Sequence, residues 1–375
     1  MQKYIHRERV IATLNHQTAD RVPLDLMGNA SMLLDDTYIR LRDRLGLTEI
    51  APVRSGSTAN YYDERILKYL DIDFRRLFLR KSPANQVTRH SDGSFTDIWG
   101  VRYRQIGPFV NAIDHPLAGV TSVRDLDNYR WPTATDLYTA DGIGELARNL
   151  YEQTGYALVA RNPLSEGFLD RPCHLMGMSE FMIFLLTEPE LVNAIIARLL
   201  ELYKGVYSMF LDAVGPYVQM VEVADDLGGN DHLLISPALY RSIFKPAEKE
   251  LYAMIHEKAP QAALFHHTDG AVFDIIPDLI EVGVNVLNPV QTSVGGMNAR
   301  RLKATFGREL VFHGAIEGIE GDIDSEVVAG EVRSRIDDLA VGGGYIVAPC
   351  NHMIDVKPEN ILEMYATARQ YGRYR

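Results

Sequence analysis

Eight short apolar, β-rich runs, separated by longer stretches of helical periodicity, constrain the fold of this 375-residue chain more than any other feature. The runs are Val22–Met27, Phe74–Leu79, Ala157–Arg161, Val218–Val223, Ala263–His267, Val284–Leu287, Leu310–His313 and Tyr345–Ala348. Parallel strands need a crossover between them, so this alternation specifies a parallel sheet covered by helices. Between the third and fourth runs, "SEFMIFLLTEPELVNAIIARLLELYKGVYSMFLDAVG" is helical, with a cap or break at Thr187–Pro189. "SPALYRSIFKPAEKELYAMIHEK" opens on Ser236 as N-cap with Pro237 at the first helical position. Later helices are expected at Ala271–Glu281, Ala299–Phe306, Asp324–Ala340 and Pro358–Tyr371.

Eight strands interleaved with helices read as an α/β fold, a (β/α)8 TIM barrel with an N-terminal helical extension, in a single domain over 1–375. An open Rossmann-like sheet is the alternative, but no strand feeds a G-x-G-x-x-G turn, and the glycines of "LAVGGGY" precede a strand. Region 82–131 breaks the alternation. Within it "SDGSFTDIWGVRYRQ" reads as a β-hairpin turning at Asp92–Gly93, an insertion expected to roof the barrel mouth.

Composition narrows the function. An apolar share of 46% with 23% charged residues is ordinary for a globular chain, so disorder is not expected. A net charge of −12 argues against nucleic acid and anionic membranes as partners, since phosphates need a basic face. Cys173 and Cys350 are too few for a disulfide framework and suit a reducing, cytoplasmic compartment. The start "MQKYIHRERVIATLNHQ" is unlike a signal peptide, and runs such as "FMIFLL" are too short to cross a bilayer.

Active sites of such barrels lie at the carboxyl ends of the strands. The residues found there are Asp25 and Asn29, Arg80, Arg161 and Asn162 with Glu166, Glu222 with Asp225 and Asp226, His266, His267 and Asp269, Asn288 and Gln291, His313 and Glu317, and Cys350 with His352. So many polar groups exceed what a stability face requires. His267 and Asp269 are two apart, so both can address one cavity as metal ligands or as an acid/base pair. The plainer reading is that Thr268 or Asp269 caps the next helix. His266, one step out of phase, is expected to face the helices. Of Asp225 and Asp226, one is left for the site and one for a cap or solvent. Cys350 is either a small buried apolar group or the thiolate of a His/Asp/Cys zinc site. Arg161, ending a buried strand, needs a carboxylate or an anionic ligand, and Cys173 reads as structural.

Several segments resemble the uroporphyrinogen decarboxylase superfamily. They are "RERVIATLNHQTADRVPLD", "VADDLGGNDHLLISPALYRSIFKP", "HTDGAVFDIIPDLIEVGVNVLNPVQ", "MNARRLKATFGRELVFHGAIE" and "GGGYIVAPCNHMIDVKPENILEMYATARQYGRY". The likeness runs from Arg7 to Tyr374 and implies a (β/α)8 barrel. True uroporphyrinogen decarboxylases carry an arginine-rich segment after the first strand that grips propionates. Here that place reads "LDLMGNASMLLDD", with no arginine before Arg40. The resemblance therefore points to the other branch, zinc-dependent methyltransferases that exchange methyl groups with corrinoid proteins.

Some members of that branch use a His-x-Cys pair and a distant cysteine as zinc ligands. His267 falls on the family histidine, Cys350 on or near the distant cysteine, and Asp269 where the first thiolate would be. The implied metal set is His267, Asp269 and Cys350, with His267, Asp269, Asp226 and Glu222 as catalytic groups. Substrate contacts are expected from Asn29, Arg80, Arg161, Asn162, Asn288, Gln291 and His313. The implied function is O-demethylation of a small methylated substrate, such as a methoxylated aromatic, with transfer to a corrinoid (cobalamin) carried by a separate protein. A homodimer is a family-level expectation. The competing reading is a metal-free decarboxylase or lyase on a small carboxylic acid, with Arg161 or Arg80 holding the carboxylate.

Overall fold

A computed structural model of the chain describes residues 4–26, 32–49, 62–107 and 109–374. Seven parallel strands form one curled sheet, in the order Phe74–Leu77, Ala157–Ala160, Met220–Ala224, Ala263–His267, Val286–Asn288, Val311–Ile316 and Tyr345–Pro349. The segment expected as the first strand closes the ring. Val347 donates to the Pro23 carbonyl (3.0 Å), Asp25 N donates to Val347 O (2.9 Å), and Asp73 N donates to Leu24 O (2.9 Å). This segment lies between the first and last strands of the sheet, pairing as a single parallel bridge at Leu24–Val347. Pro23 lacks an N–H, which limits its ladder to those few bonds. Met27, the end of the expected strand, falls outside the described residues.

Helices alternate with the strands on the outside. The expected break at Thr187–Pro189 separates Met178–Thr187 from Pro189–Val214. Helices Ala299–Phe306, Ser325–Leu339 and Pro358–Tyr371 match the sequence reading, with Asn298 and Asp324 accepting N-cap hydrogen bonds. Two expected helices are less regular. The one opening at Ser236 passes through a π-helical turn at Tyr240–Phe244 before continuing as Lys245–Lys258. Pro246 has no N–H for the carbonyl four residues back, so the ladder shifts there. The one expected from Ala271 starts later, as a 3₁₀ turn Phe273–Ile275 followed by Ile276–Glu281.

The barrel interior is layered by the two-residue period of its strands. Phe74, Ala157, Val159, Met220, Phe265, Val286, Val311 and Ile346 form one apolar cluster, joined by Val10 of the amino-terminal helix His6–Leu14. Each fully buried aliphatic or aromatic side chain in it contributes about 1.5–3 kcal/mol. Two residues further along the same strands stand Arg76, Glu222, His267, Asn288 and His313. An apolar layer therefore supports a polar one at the carboxyl ends.

Segment 82–131 carries a four-stranded antiparallel sheet of Thr88–Arg89, Phe95–Thr96, Arg102–Ile106 and Phe109–Asp114. The first hairpin turns at Asp92–Gly93 as the sequence suggests, with Asp92 accepting from Ser94 N at 3.1 Å and Gly93 at φ 80°. Two further hairpins follow that the sequence reading does not contain, and the last joins Arg102–Ile106 to Phe109–Asp114. This final strand is largely exposed and lacks an apolar alternation. Among the described residues no helix is long and apolar enough to cross a membrane.

Candidate functional site

The polar layer is a continuous chain of hydrogen bonds across the barrel. Asp25 is fully buried and takes a two-pronged pair from Arg76, Nη1 to Oδ1 at 2.8 Å and Nη2 to Oδ2 at 2.7 Å. Arg76 Nε reaches Glu222 at 2.8 Å. On the other side, Asp25 Oδ2 lies 2.9 Å from His313 Nε2, and His313 Nδ1 lies 2.8 Å from the Asn288 amide. Asn288 Oδ1 is 2.7 Å from His267 Nδ1. Burial alone would raise the Asp25 carboxyl, but the Arg76 guanidinium outweighs it and holds it well below the usual range.

His267 Nε2 points out of this chain toward two carboxylates, 3.5 Å from Asp226 Oδ1 and 4.0 Å from Asp269 Oδ2. The three residues can each offer a ligand atom, all within 4.8 Å of one another. Two loops are pinned to make this happen. Asp269 N donates to Asp226 Oδ1 at 3.0 Å, and Gly228 N donates to Asp269 O at 3.1 Å. A Cβ on Gly270 would come within 2.4 Å of Gly228 backbone, so glycine is required where the loops touch. Asp269 Oδ1 is buried without a hydrogen-bond partner, as an oxygen awaiting a cation or a donor would be. Burial raises the Asp269 carboxyl, and Asp226 adds to the rise against His267.

Residues 120–371 match the family model for uroporphyrinogen decarboxylase (URO-D). The chain belongs to that family. A search of curated protein sequences finds no significant match. Among solved structures, a methyltransferase from Methanosarcina mazei aligns over 98% of this chain and 99% of its own, with a TM-score of 0.67 at 15% identity. At that identity the likeness is one of fold. Native xylanase 10B from Thermotoga maritima aligns over 63% of this chain and 81% of its own, at 14% identity and a TM-score of 0.39, and carries no functional weight.

Within this URO-D family barrel, several expected residues fall where the sequence places them. His267 faces inward, while His266 faces the helices, its Nδ1 3.1 Å from Tyr252 Oη. Asp226 joins the cluster and Asp225 instead accepts from Leu169 N (2.8 Å) and Asp170 N (3.1 Å), opening the helix Asp170–Met176. The helix-cap alternative for Thr268 and Asp269 does not hold: Thr268 accepts from Leu227 N at 3.1 Å, and the following turn has no side-chain cap.

Cys350, expected in the ligand set, lies outside the cluster of groups near enough to share one ion among the described residues. Asp226, not Cys350, is the third member of the cluster. The Cys350 thiol is fully buried and donates to the Val290 carbonyl at 3.3 Å. Burial, followed by the Glu317 charge, pushes it far above its ordinary range, so it is a neutral thiol. Pro349 ends its strand and Cys350 N is tied to Ile316 O at 2.9 Å, which fixes the side chain within the wall.

Of the remaining expected residues, Glu222 is enclosed by Arg76, Arg161 Nε (3.3 Å) and Asn162 N (3.4 Å). Asn162 Oδ1 accepts from Leu164 N and Tyr207 Oη, shaping a loop. Gln291 accepts from Gly270 N at 2.6 Å, tying a third loop to the cluster. Arg80 is exposed, on a two-stranded ladder with Thr139. Asn29 lies outside the described residues. Glu317 clamps Thr292 and Ser293.

Sequence reasoning missed Arg76 and Asp170. Arg76 is in phase with Phe74 on an apolar strand, a charge on the inner face that the period-2 pattern could have flagged. Asp170 Oδ2 accepts from Asp226 N at 3.1 Å, and its carboxyl is pushed up to about 7 by burial and by the Asp226 charge. The same helix carries Arg171 and His174, both paired with Glu166 (3.0 and 2.9 Å). These three residues line a cavity of about 400 Å³ together with Phe95, Tyr103 and Tyr138.

Proposed function

We propose that this URO-D family protein is a methyltransferase that removes the methyl group of a small methylated substrate, such as a methoxylated aromatic, and passes it to a corrinoid carried by another protein. The observation that carries the reading is the Asp226–His267–Asp269 cluster at the carboxyl ends of the strands. Three ligands leave a fourth position open, as catalytic zinc sites do, and the buried, unpartnered Asp269 Oδ1 fits a cation there. Bound zinc would supply Lewis acidity toward an ether oxygen. With two carboxylates in place of thiolates, this set favours a harder substrate atom, an oxygen over a sulfur.

The chain's own residues supply the rest. Asp226, His267 and Asp269 would hold the cation that receives the ether oxygen, while Asp170, beside Asp226, offers a proton to an alkoxide or phenolate leaving group. The aromatic-walled cavity next to the helix Asp170–Met176 suits a single ring. Arg76 is consumed by Asp25 and Glu222, and Arg161 pairs with Glu222, which argues against a substrate bearing many carboxylates. Similarity in fold to a methyltransferase is consistent with the proposal.

The raised Asp170 carboxyl also favours a second reading, a metal-free decarboxylase of a small acid that protonates its product from Asp170. Metal analysis of protein purified without chelators, together with demethylation assays using reduced free cobalamin, separates the two. Near-stoichiometric zinc and methylcobalamin formed from a methoxylated aromatic are expected. A metal-free protein that releases carbon dioxide from a small acid overturns the methyl-transfer reading.

A further inference from the structure

Each hydrogen bond in the chain from Asp25 to His267 needs one donor and one acceptor, and only one end of the chain is free to choose. Asp25 is ionised, fully buried and held by Arg76, so its oxygens only accept. His313 Nε2, 2.9 Å away, therefore carries a hydrogen. His313 Nδ1 lies 2.8 Å from the Asn288 amide nitrogen, which can only donate, so Nδ1 is the accepting nitrogen of that ring. With its amide nitrogen on that side, Asn288 turns Oδ1 toward His267. His267 Nδ1, at 2.7 Å from that oxygen, must donate. Its Nε2, the ring nitrogen that this chain does not use, is directed between Asp226 and Asp269.

We infer that Asn288 and His313 are positioning residues that lock His267 in its Nδ1–H tautomer, with the Asp25–Arg76 pair on the opposite side of the barrel as the origin of that choice. The inference rests on the reading of His267 as the working imidazole and names what its site takes: a divalent cation, or a substrate proton, presented to nitrogen. An imidazole with the other tautomer would present N–H to the same point, between two carboxylates, and accept neither. Outer partners of a ligating histidine commonly change metal affinity by about 10- to 100-fold, and here the partners extend across two further residues.

The test is a long-range proton–nitrogen NMR correlation on chelator-stripped protein labelled with ¹⁵N-histidine, with His267 assigned by His267→Gln. Expected are a protonated Nδ1 and a pyridine-like Nε2 on His267. A bare Nδ1, or a doubly protonated ring near neutral pH, on His267 of the wild-type protein overturns the inference. His313→Leu, two links away and without contact to His267, frees the Asn288 amide to reverse. The His267 nitrogens should then shift toward the Nε2–H form, and zinc affinity measured by competition should fall about 10-fold or more. Unchanged His267 signals in a folded His313→Leu variant also overturn it, and if that variant does not fold, the wild-type spectrum decides. Failure of methyl transfer with the Nδ1–H tautomer observed would refute the function proposed above and leave this inference supported.

Discussion

His266 and His267 are neighbours in sequence, and each belongs to a buried polar network, but the two networks solve burial in opposite ways. Inside the barrel, Asp25 stays ionised against the Arg76 guanidinium, which also reaches Glu222 at 2.8 Å. Between the barrel and its helices, Glu248, Tyr240, Tyr252 and His266 are equally enclosed, and the groups acting on Glu248 are the Tyr240 hydroxyl and the Asp278 charge, neither of them a cation. There burial raises Glu248 to about 7 and lowers His266 to about 3, so both are largely neutral where the unburied groups would be charged. Depth in the molecule is the same. What differs is the presence of a counter-charge, and with it the ability to orient a proton.

The largest effect that would break this contrast is expected from Arg76→Met. It strands Asp25 and Glu222 together in the interior and should cost about 3–5 kcal/mol in urea unfolding. A loss below about 1 kcal/mol would mean that the inner carboxylates are not ionised. On the outer side, Glu248 binds its proton more tightly folded than unfolded, so its contribution is complete below about pH 4.5 and is lost as pH rises through about 7. Glu248→Gln removes that loss. It should stabilise the protein at pH 8 by up to about 3 kcal/mol and change little at pH 4.5, read from unfolding at the two pH values.

His266 has the opposite sign. Its depressed pKa makes its contribution complete above about pH 6.5 and erodes it as pH falls toward 3. Between pH 4.5 and 6.5 the two groups oppose each other in the wild type, so Glu248→Gln should steepen the rise of stability with pH there. A profile of unchanged slope would contradict the assignment. The smallest effect is expected from Cys350→Ala: about 1 kcal/mol of stability and no change in metal content. Asp226→Ala, by contrast, should lower metal occupancy measured on the purified protein.

Much of the fold was legible because each barrel strand announces itself by composition and each helix by spacing, and because parallel strands allow few arrangements. The same two-residue period separated His267 from His266 correctly. It could not place Cys350. Past Pro349 the strand ends, and the thiol direction depends on a backbone bond to Ile316 that no spacing encodes. Asp226 shows the converse. Adjacent carboxylates divide their duties, but only the contact between Gly228 and Gly270 decides that the second one meets His267. The last hairpin escaped because its strand Phe109–Asp114 has no buried face to impose a pattern.

The seam of the barrel carries more than its few hydrogen bonds suggest. The short stave around Pro23 that joins the last strand to the first also bears Asp25, the residue from which His267 receives its orientation. If that stave came away, the wall would lose one bridge, and the imidazole on the far side would lose its reference. Completion of the ring and arming of the centre are thereby one event, and a half-closed barrel would be a silent one.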